Sequence, residues 1–257
     1  MILGSQFQPL TQQKITIFDK KIEMIKIWQE ELRKAANPEK IKIFMSFFKT
    51  GKGEYGEGDK FIGLSVPENR RIARKYLDAD FNTIDKMIQH EIHEFRLSGF
   101  ICLVEKYKRS KSQNEQNGIV EFYVTRGTFA NNWDLVDLSA PYILGANMLN
   151  SPNPSLLDQL SHSDNLWLQR IAIVSTLTLV RKKRFDDALR LSQRYLSHSH
   201  PLIHKATGWI LREIGKKDEA ILLDFLENYA PNMPRTALRY AIERLSPEQR
   251  QHFMHKK

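Results

Sequence analysis

Three tryptophans in the sequence each lie within one helical turn of a charged residue, and these pairs are the side chains best suited to chemistry. The pairs are Trp133 with Asp137, Trp167 with Arg170, and Trp209 with Arg212. Residues three or four apart share one face of an α-helix, so each pair would place an indole beside a charge. Aromatic faces and carboxylates both attract positive charge, so Trp133 and Asp137 together could stabilise a cation that develops during a reaction.

The first two pairs also have ordinary structural interpretations. A helix with one buried tryptophan and a solvated or capping aspartate would account for Trp133 and Asp137 equally well. Trp167 is followed by apolar residues at i+4 and i+7, which favours a place in the core. Arginine holds phosphates and pairs with carboxylates in a bidentate manner, so Arg170 could bind a phosphate or orient Asp137.

The segment around Trp209 combines an aromatic ring with basic side chains. Lys205 and Arg212 lie near the helical face of Trp209, and an aromatic ring with adjacent cations is a combination that binds nucleic acid. A tryptophan packed between repeats is an equally ordinary interpretation. Gly208 costs a helix about 1 kcal/mol relative to alanine, so it predicts a close backbone approach or plain packing between helices. The helical phase of Lys205 and Arg239 predicts that both would face a bound nucleic acid.

Composition favours a soluble protein with a polyanionic partner. The 257 residues are 41% hydrophobic and 27% charged, and they carry a formal net charge of +9 at pH 7. A basic surplus of this size favours nucleic acid ahead of a membrane surface. No apolar run approaches the roughly 18 residues of a membrane span, and no signal peptide is apparent, so we expect a cytoplasmic protein.

Cysteine and histidine usage predicts no metal site. The single Cys102 excludes an internal disulfide and a cysteine-based zinc site, and its apolar neighbours predict a core position. His200 and His204 lie four residues apart but lack an adjacent glutamate and an obvious third ligand. His90 and His93 are expected on the surface.

Helical periodicity runs through most of the chain, including one run over residues 135–148, and no alternating pattern predicts a strand. The three tryptophans recur at spacings of 34 and 42 residues, which suits helical repeats of the HEAT or armadillo type. We therefore expect a loose tail over residues 1–13 and then a single all-α domain over residues 14–257. This domain would be a curved superhelical stack of HEAT-like helix pairs.

A glycine-rich stretch interrupts the helical pattern, with five glycines from Gly51 to Gly63. It has neither the spacing of a phosphate-binding P-loop nor a preceding strand. A flexible loop between two helices is therefore the better interpretation, and such a loop could close over a ligand.

Five segments of the sequence resemble the AlkD-type bacterial DNA alkylation repair glycosylases. They are residues 37–40, 61–71, 133–137, 165–173 and 205–213, and together they span most of the chain. The resemblance implies an all-α stack of HEAT-like repeats whose concave basic face holds duplex DNA. It also implies a monofunctional glycosylase of base excision repair, which releases cationic N3- and N7-alkylated purines without a metal or cofactor.

The same resemblance assigns roles by position. Asp137 matches the catalytic carboxylate, and Trp133 and Trp209 match tryptophans that contact the deoxyribose at the lesion. Arg170 and Arg212 match arginines that act at the site and on the DNA backbone.

Two features depart from the family pattern. Phe47, which we expect to contact DNA, stands where relatives carry a tyrosine, so a hydroxyl contact would be missing. The glycine-rich loop is extended over residues 51–58. Some proteins of this fold bind branched DNA without glycosylase activity, so the fold by itself does not establish the chemistry.

The residues fit the chemistry that the resemblance implies. Glycosidic bonds normally break through an oxocarbenium-like state served by two carboxylates, one of which protonates the leaving group. An alkylated purine already carries a positive charge and leaves without protonation, so the single carboxylate of Asp137 would suffice. Two alternatives stay open: a non-catalytic binder of branched or damaged DNA, and a repeat scaffold for an acidic protein partner. We expect a monomer on double-stranded DNA, with no membrane association.

Overall fold

A computed structural model of the chain describes residues 12–256, with side chains from residue 21 onwards. Within that range the regular elements are helices, with one isolated bridge between Lys60 and Ile92, so the all-α prediction is confirmed. The α-helices are α1 (Gln12–Lys34), α2 (Ile41–Phe47), α3 (Val66–Ala73), α4 (Phe81–Ile88), α5 (His93–Arg109), α6 (Gln113–Thr125), α7 (Trp133–Ser139), α8 (Leu144–Asn150), α9 (Pro154–Ser161), α10 (Leu166–Arg181), α11 (Asp186–Arg194), α12 (Pro201–Gly215), α13 (Glu219–Tyr229), α14 (Arg235–Ala241) and α15 (Pro247–His255). Short 3-10 helices stand at Pro38–Lys40, Arg74–Tyr76, Gly127–Phe129, Tyr195–Ser197 and Ala230–Asn232.

The helices group into two compact units. The first comprises Met1–Phe47 and Asp59–Cys102, and the second comprises Phe48–Gly58 and Leu103–Lys257. The expectation of a single domain stays a prediction. Residues 1–11 of the predicted tail lie outside the described residues, and residues 12 and 13 begin α1. Among the described helices, none has the length and apolar composition needed to cross a membrane.

Trp28 organises the core of the first unit. Its side chain is fully buried, its indole Nε1 donates to Ser98 Oγ at 2.9 Å, and its ring stacks on Tyr76 with the centroids 4.7 Å apart. These contacts tie α1 to α5 and to the 3-10 helix after α3. Cys102 is also fully buried, so its predicted core position is confirmed.

His93 is buried in the first unit, and the prediction of a surface position was wrong. Its Nδ1 lies 2.9 Å from Oδ2 of Asp59, and Arg96 Nη2 donates to the other oxygen of that carboxylate at 2.5 Å. Phe61 stacks on the imidazole with the ring centroids 4.6 Å apart. Because Asp59 is 34 positions away in the sequence, the local pattern around His93 does not indicate this burial.

Helix α10 forms the centre of the second unit. It is buried on nearly all sides, and it packs against α7, α8, α9, α11 and α12, as expected for a central, largely apolar helix. Trp167 on α10 is 8% exposed, so its predicted core position is confirmed. Helix α12 in turn packs against α13 and α14.

Two glycines allow these helices to approach through their backbones. A Cβ added at Gly208 would lie 2.3 Å from the carbonyl oxygen of Ala237, and one added at Gly145 would lie 2.2 Å from that of Ser175. The predicted close approach at Gly208 is therefore confirmed, and it joins α12 to α14.

The run over residues 135–148 consists of two helices, α7 and α8, so the prediction of one continuous helix was wrong. Pro141 has no N–H to donate to the carbonyl of Asp137, and its ring disfavours helical geometry in the residue before it. The break leaves Asp137 in the last turn of the short helix α7.

Local capping signals begin the helices that carry the candidate site. The Asn165 side chain accepts a hydrogen bond from the backbone N–H of Trp167 at 3.0 Å, at the start of α10. The Asn132 side chain accepts from the N–H of Trp133 at 2.9 Å, at the start of α7. Pro201 is the first residue of α12, where its missing N–H costs nothing.

Candidate active site

Asp137 and Arg170 form a bidentate ion pair within the second unit. Arg170 Nε donates to Asp137 Oδ1 at 3.0 Å, and Nη2 donates to Oδ2 at 2.8 Å. The third nitrogen, Nη1, donates to the backbone carbonyl of Leu202 at 2.6 Å. The Arg170 side chain is 5% exposed and that of Asp137 is 22% exposed. The guanidinium is thus buried and hydrogen-bonded to other groups of the protein, whereas part of the carboxylate remains accessible to solvent.

This arrangement bears on the two roles that the sequence left open for Arg170. A buried guanidinium with all three nitrogens engaged can orient a carboxylate, but it has little capacity for an incoming phosphate. The contact with Leu202 also anchors the pair to the first turn of α12, whose start is fixed by Pro201. The geometry supports the orienting role.

Burial dominates the electrostatics of the Asp137 carboxyl. It raises the pKa of Asp137 above the ordinary value, the charge and hydrogen bonds of Arg170 oppose the rise, and the charge of Asp134 adds to it. Since the net direction is upward, the carboxylate form is not fully compensated by its surroundings. A positive charge brought close to Asp137 would therefore be stabilised, and it would relieve part of the cost of burying the carboxylate.

Trp133 begins α7, one turn before Asp137. Its indole contacts two residues of the loop that follows α2, Phe48 and Tyr55. Trp133 Nε1 donates to the hydroxyl of Tyr55 at 3.2 Å. Phe48 packs against the indole with the ring centroids 5.4 Å apart and the planes tilted by 31°. Sequence reasoning missed Tyr55 and Phe48. The only signal for Tyr55 was an aromatic residue among glycines.

The other predicted residues of the second unit lie on α12 and α14. Trp209 is half-buried on α12, and Lys205 on the same helix is exposed. Arg239 is exposed on α14. Arg212 is 19% exposed and pairs with Glu243, in the turn that follows α14. Two of the four, Lys205 and Arg239, therefore present their side chains to solvent, whereas Arg212 is engaged by an acidic neighbour.

Phe47 is the last residue of α2 and belongs to the first unit. Its side chain is 60% exposed, and Ile43, one turn earlier, is 63% exposed. Exposed large apolar side chains on one short helix are typical of a contact surface. Whether this surface meets DNA stays a prediction.

Two histidines, His198 and His200, lie just before the start of α12. The backbone N–H of Leu202 donates to His200 Nδ1 at 3.1 Å, and His198 Nε2 lies 2.9 Å from the side-chain oxygen of Gln169. Burial lowers the pKa of both His198 and His200, and the Arg170 charge lowers that of His200 further. Burial thus favours the neutral form of both imidazoles, which serve as hydrogen-bonding groups at the start of α12. Over the described residues, no group of three or more His, Cys, Asp or Glu side chains is arranged to hold a metal ion.

Comparisons with known proteins identify the family. A family model for DNA alkylation repair enzymes matches residues 28–245. The chain belongs to the DNA alkylation repair enzyme family. A solved structure described as a predicted DNA alkylation repair enzyme from Enterococcus faecalis matches with a TM-score of 0.65 and 18% identity, covering 82% of this chain and 97% of that one. No curated protein matches the chain.

The family match includes the whole candidate site. Asp137, Arg170, Trp133 and Trp209 all lie within residues 28–245 of this DNA alkylation repair family member, and so does Tyr55. The likeness to the Enterococcus faecalis structure extends to the fold, at an identity too low to compare individual roles.

Proposed function

We propose that this protein is a monofunctional DNA glycosylase of base excision repair, which hydrolyses the N-glycosidic bond of cationic N3- and N7-alkylated purines. It would act as a monomer on duplex DNA in the cytoplasm, without a metal or cofactor. The observation that carries the proposal is the Asp137 carboxylate, which is oriented by Arg170 and keeps an accessible edge one helical turn from Trp133. Membership of the DNA alkylation repair family supports alkylated DNA as the substrate.

The reaction needs one well-placed negative charge. As the bond between C1′ and the purine nitrogen breaks, its electron pair neutralises the cationic base, and positive charge moves to the deoxyribose. Asp137 would stabilise that charge and position a water molecule, whose oxygen bonds to C1′ and whose proton passes to the carboxylate or to solvent. Trp133 and Trp209 would add aromatic faces to the same cation. Arg170 would hold Asp137 in place.

The same reasoning limits the substrates. A neutral purine must be protonated before it leaves, and glycosidases use a carboxylic acid for that step. Arg170 occupies both oxygens of Asp137, so this carboxyl group is organised to remain an anion. We therefore propose selectivity for bases that are already cationic.

DNA contacts outside the reacting sugar would come from basic and aromatic side chains. Lys205 and Arg239 are exposed and suited to phosphate contact. Arg212 would exchange its present partner Glu243 for a DNA phosphate. Phe47 would offer an apolar contact in place of a hydroxyl.

The proposal is tested by comparing two duplexes that differ at one base, which is cationic in the first and neutral in the second. One carries N7-methylguanine, which is cationic, and the other carries hypoxanthine, which is neutral. Under single-turnover conditions we expect release of N7-methylguanine, with hypoxanthine release at least ~100-fold slower, the factor typical of a missing general acid. Equal release of both bases would contradict the single-carboxylate mechanism. Tight binding to branched DNA with no release of N7-methylguanine or N3-methyladenine would favour the non-catalytic binder instead.

A further inference from the structure

We infer that Tyr55 is a positioning residue for the proposed reaction, and that its hydroxyl fixes the Trp133 indole beside Asp137. This inference rests on the proposed function, because Trp133 matters only if its ring meets the substrate. It gives a role to the loop of residues 48–58, which contains four of the five glycines of the glycine-rich stretch and both Phe48 and Tyr55, which contact the Trp133 indole.

The indole of Trp133 is held from two directions by one segment. Tyr55 accepts the hydrogen bond from Nε1 at 3.2 Å, which restricts rotation of the indole about the Cα–Cβ and Cβ–Cγ bonds. Phe48 packs against the ring with the centroids 5.4 Å apart. This contact covers part of the indole and restricts the orientation of the rest. A hydrogen bond and an aromatic contact together restrict a tryptophan more than either one does.

The segment itself is built to hold this geometry. Its turns are closed by side chains, since Glu54 accepts from the backbone N–H of Gly51 and Glu57 accepts from that of Gly53, each at 2.8 Å. The N–H of Gly56 donates to the carbonyl of Lys49 at 3.0 Å. These bonds make a defined loop where the sequence predicted a flexible connection.

Gly56 is the position at which the loop is packed most closely. A Cβ there would lie 2.4 Å from the carbonyl oxygen of Phe48 and 3.0 Å from that of Lys49. Glycine is therefore required where the chain doubles back, one residue after Tyr55.

Tyr55 is suited to the acceptor role at neutral pH. Its side chain is half-buried, and burial raises the pKa of the phenol while the hydrogen bond from Trp133 lowers it, with a net rise. The hydroxyl is therefore neutral, and over the described residues the bond from Trp133 is its sole hydrogen bond. Replacing Tyr55 by phenylalanine would remove this one interaction and leave the ring in place.

The test compares Tyr55→Phe with wild type in three measurements. We expect single-turnover release of N7-methylguanine to fall about fivefold, as for one lost neutral hydrogen bond, while the Kd for undamaged duplex changes less than about twofold. The chain has four tryptophans, so a proton–nitrogen NMR spectrum has four indole signals. The signal that Trp133→Phe removes should be the one that Tyr55→Phe shifts. The matched control is Tyr142→Phe, because Tyr142 is an exposed tyrosine of the same unit, and it should change none of these values.

A double-mutant cycle separates positioning from general support of the fold. In a Trp133→Phe background, Tyr55→Phe should add less than about a twofold effect on release, since its partner is already gone. Gly56→Ala provides a second perturbation of the loop, and it should slow release and shift the same indole signal, whereas Gly118→Ala, in open space, should do neither.

Three outcomes would overturn the inference. Release at the wild-type rate by Tyr55→Phe would do so, and so would an equal loss in both backgrounds or an unshifted Trp133 signal. These results would leave the proposed function intact, because wild type would still release the base. Absence of release from wild type itself would instead remove the proposed function and the role of Tyr55 together.

Discussion

Replacing Arg170 by methionine would remove the guanidinium and keep a side chain of similar length on α10. The substitution deletes two hydrogen bonds to Asp137 and one to the Leu202 carbonyl. It leaves a largely buried carboxylate without its counter-charge. Breaking a buried ion pair from one side typically costs about 3–5 kcal/mol. Because the Asp137 side chain is 22% exposed, we expect Arg170→Met to lower the free energy of unfolding by about 3 kcal/mol, at the lower end of that range.

The loss of unfolding free energy in Arg170→Met should depend on pH, and the direction of that dependence follows from the pKa of Asp137. Without Arg170 the pKa of Asp137 rises further, since the opposing charge is gone and burial remains. A folded-state pKa above the unfolded value means that ionisation destabilises the fold. The loss is therefore fully present above the raised folded pKa, and it fades as the pH falls toward the unfolded value.

Urea unfolding at pH 7 and pH 5 measures both effects. The Arg170→Met loss should be about 3 kcal/mol at pH 7, corresponding to a fall in Tm of roughly 6–12 °C, and it should be smaller at pH 5. Adding Asp137→Asn should restore part of the loss, with a coupling of about 1–3 kcal/mol. The control Arg239→Met, at an exposed position on α14, should stay within about 0.5 kcal/mol. A loss that is independent of pH and additive with Asp137→Asn would refute the account of this pair.

Three further predictions follow from other parts of the site. The rate of base release should fall as the pH drops through a midpoint above 3.8, the ordinary value for Asp, because burial raises the pKa of Asp137 and only the carboxylate is active; a single-turnover profile that stays flat down to pH 4 would contradict this. Gly208→Ala should destabilise the protein by about 1–3 kcal/mol in a thermal melt, since the added Cβ meets a backbone carbonyl of α14. The control Gly118→Ala, where the added Cβ meets open space, should be neutral or stabilising by up to about 1 kcal/mol. Lys205→Ala and Arg239→Ala should each weaken duplex binding and reduce the slope of log K against log salt by about 0.9, without changing the rate of saturated enzyme; unchanged slopes would remove both residues from the DNA surface.

Local patterns in the sequence were sufficient for the helices and for much of the core. The apolar spacing around Trp167 and Cys102 predicted their burial, because each helix must turn its apolar face inward whatever its neighbours are. Gly208 predicted a close helix contact for the same local reason. The division of the run over residues 135–148 could have been foreseen from Pro141, which periodicity alone overlooks.

Contacts between residues that are distant in the sequence could not be predicted from local patterns. Tyr55 and Trp133 are separated by 78 positions, and the distance that joins them depends on how the loop after α2 folds. His93 was misplaced for a similar reason, since its burial depends on Asp59 from another segment. For Arg170 the sequence left two roles open, because a choice between phosphate and carboxylate depends on which partner the fold brings within 3 Å.

The central claim is that Asp137 performs the hydrolysis of a cationic purine. The most direct measurement is single-turnover release of N7-methylguanine from duplex DNA by wild type and by Asp137→Asn, with Asp224→Asn as the control at an exposed aspartate on α13. We predict that Asp137→Asn slows release by about 100-fold or more, as for loss of a key electrostatic group, with undamaged DNA bound as before and the control unchanged. Release by Asp137→Asn at the wild-type rate would contradict the account.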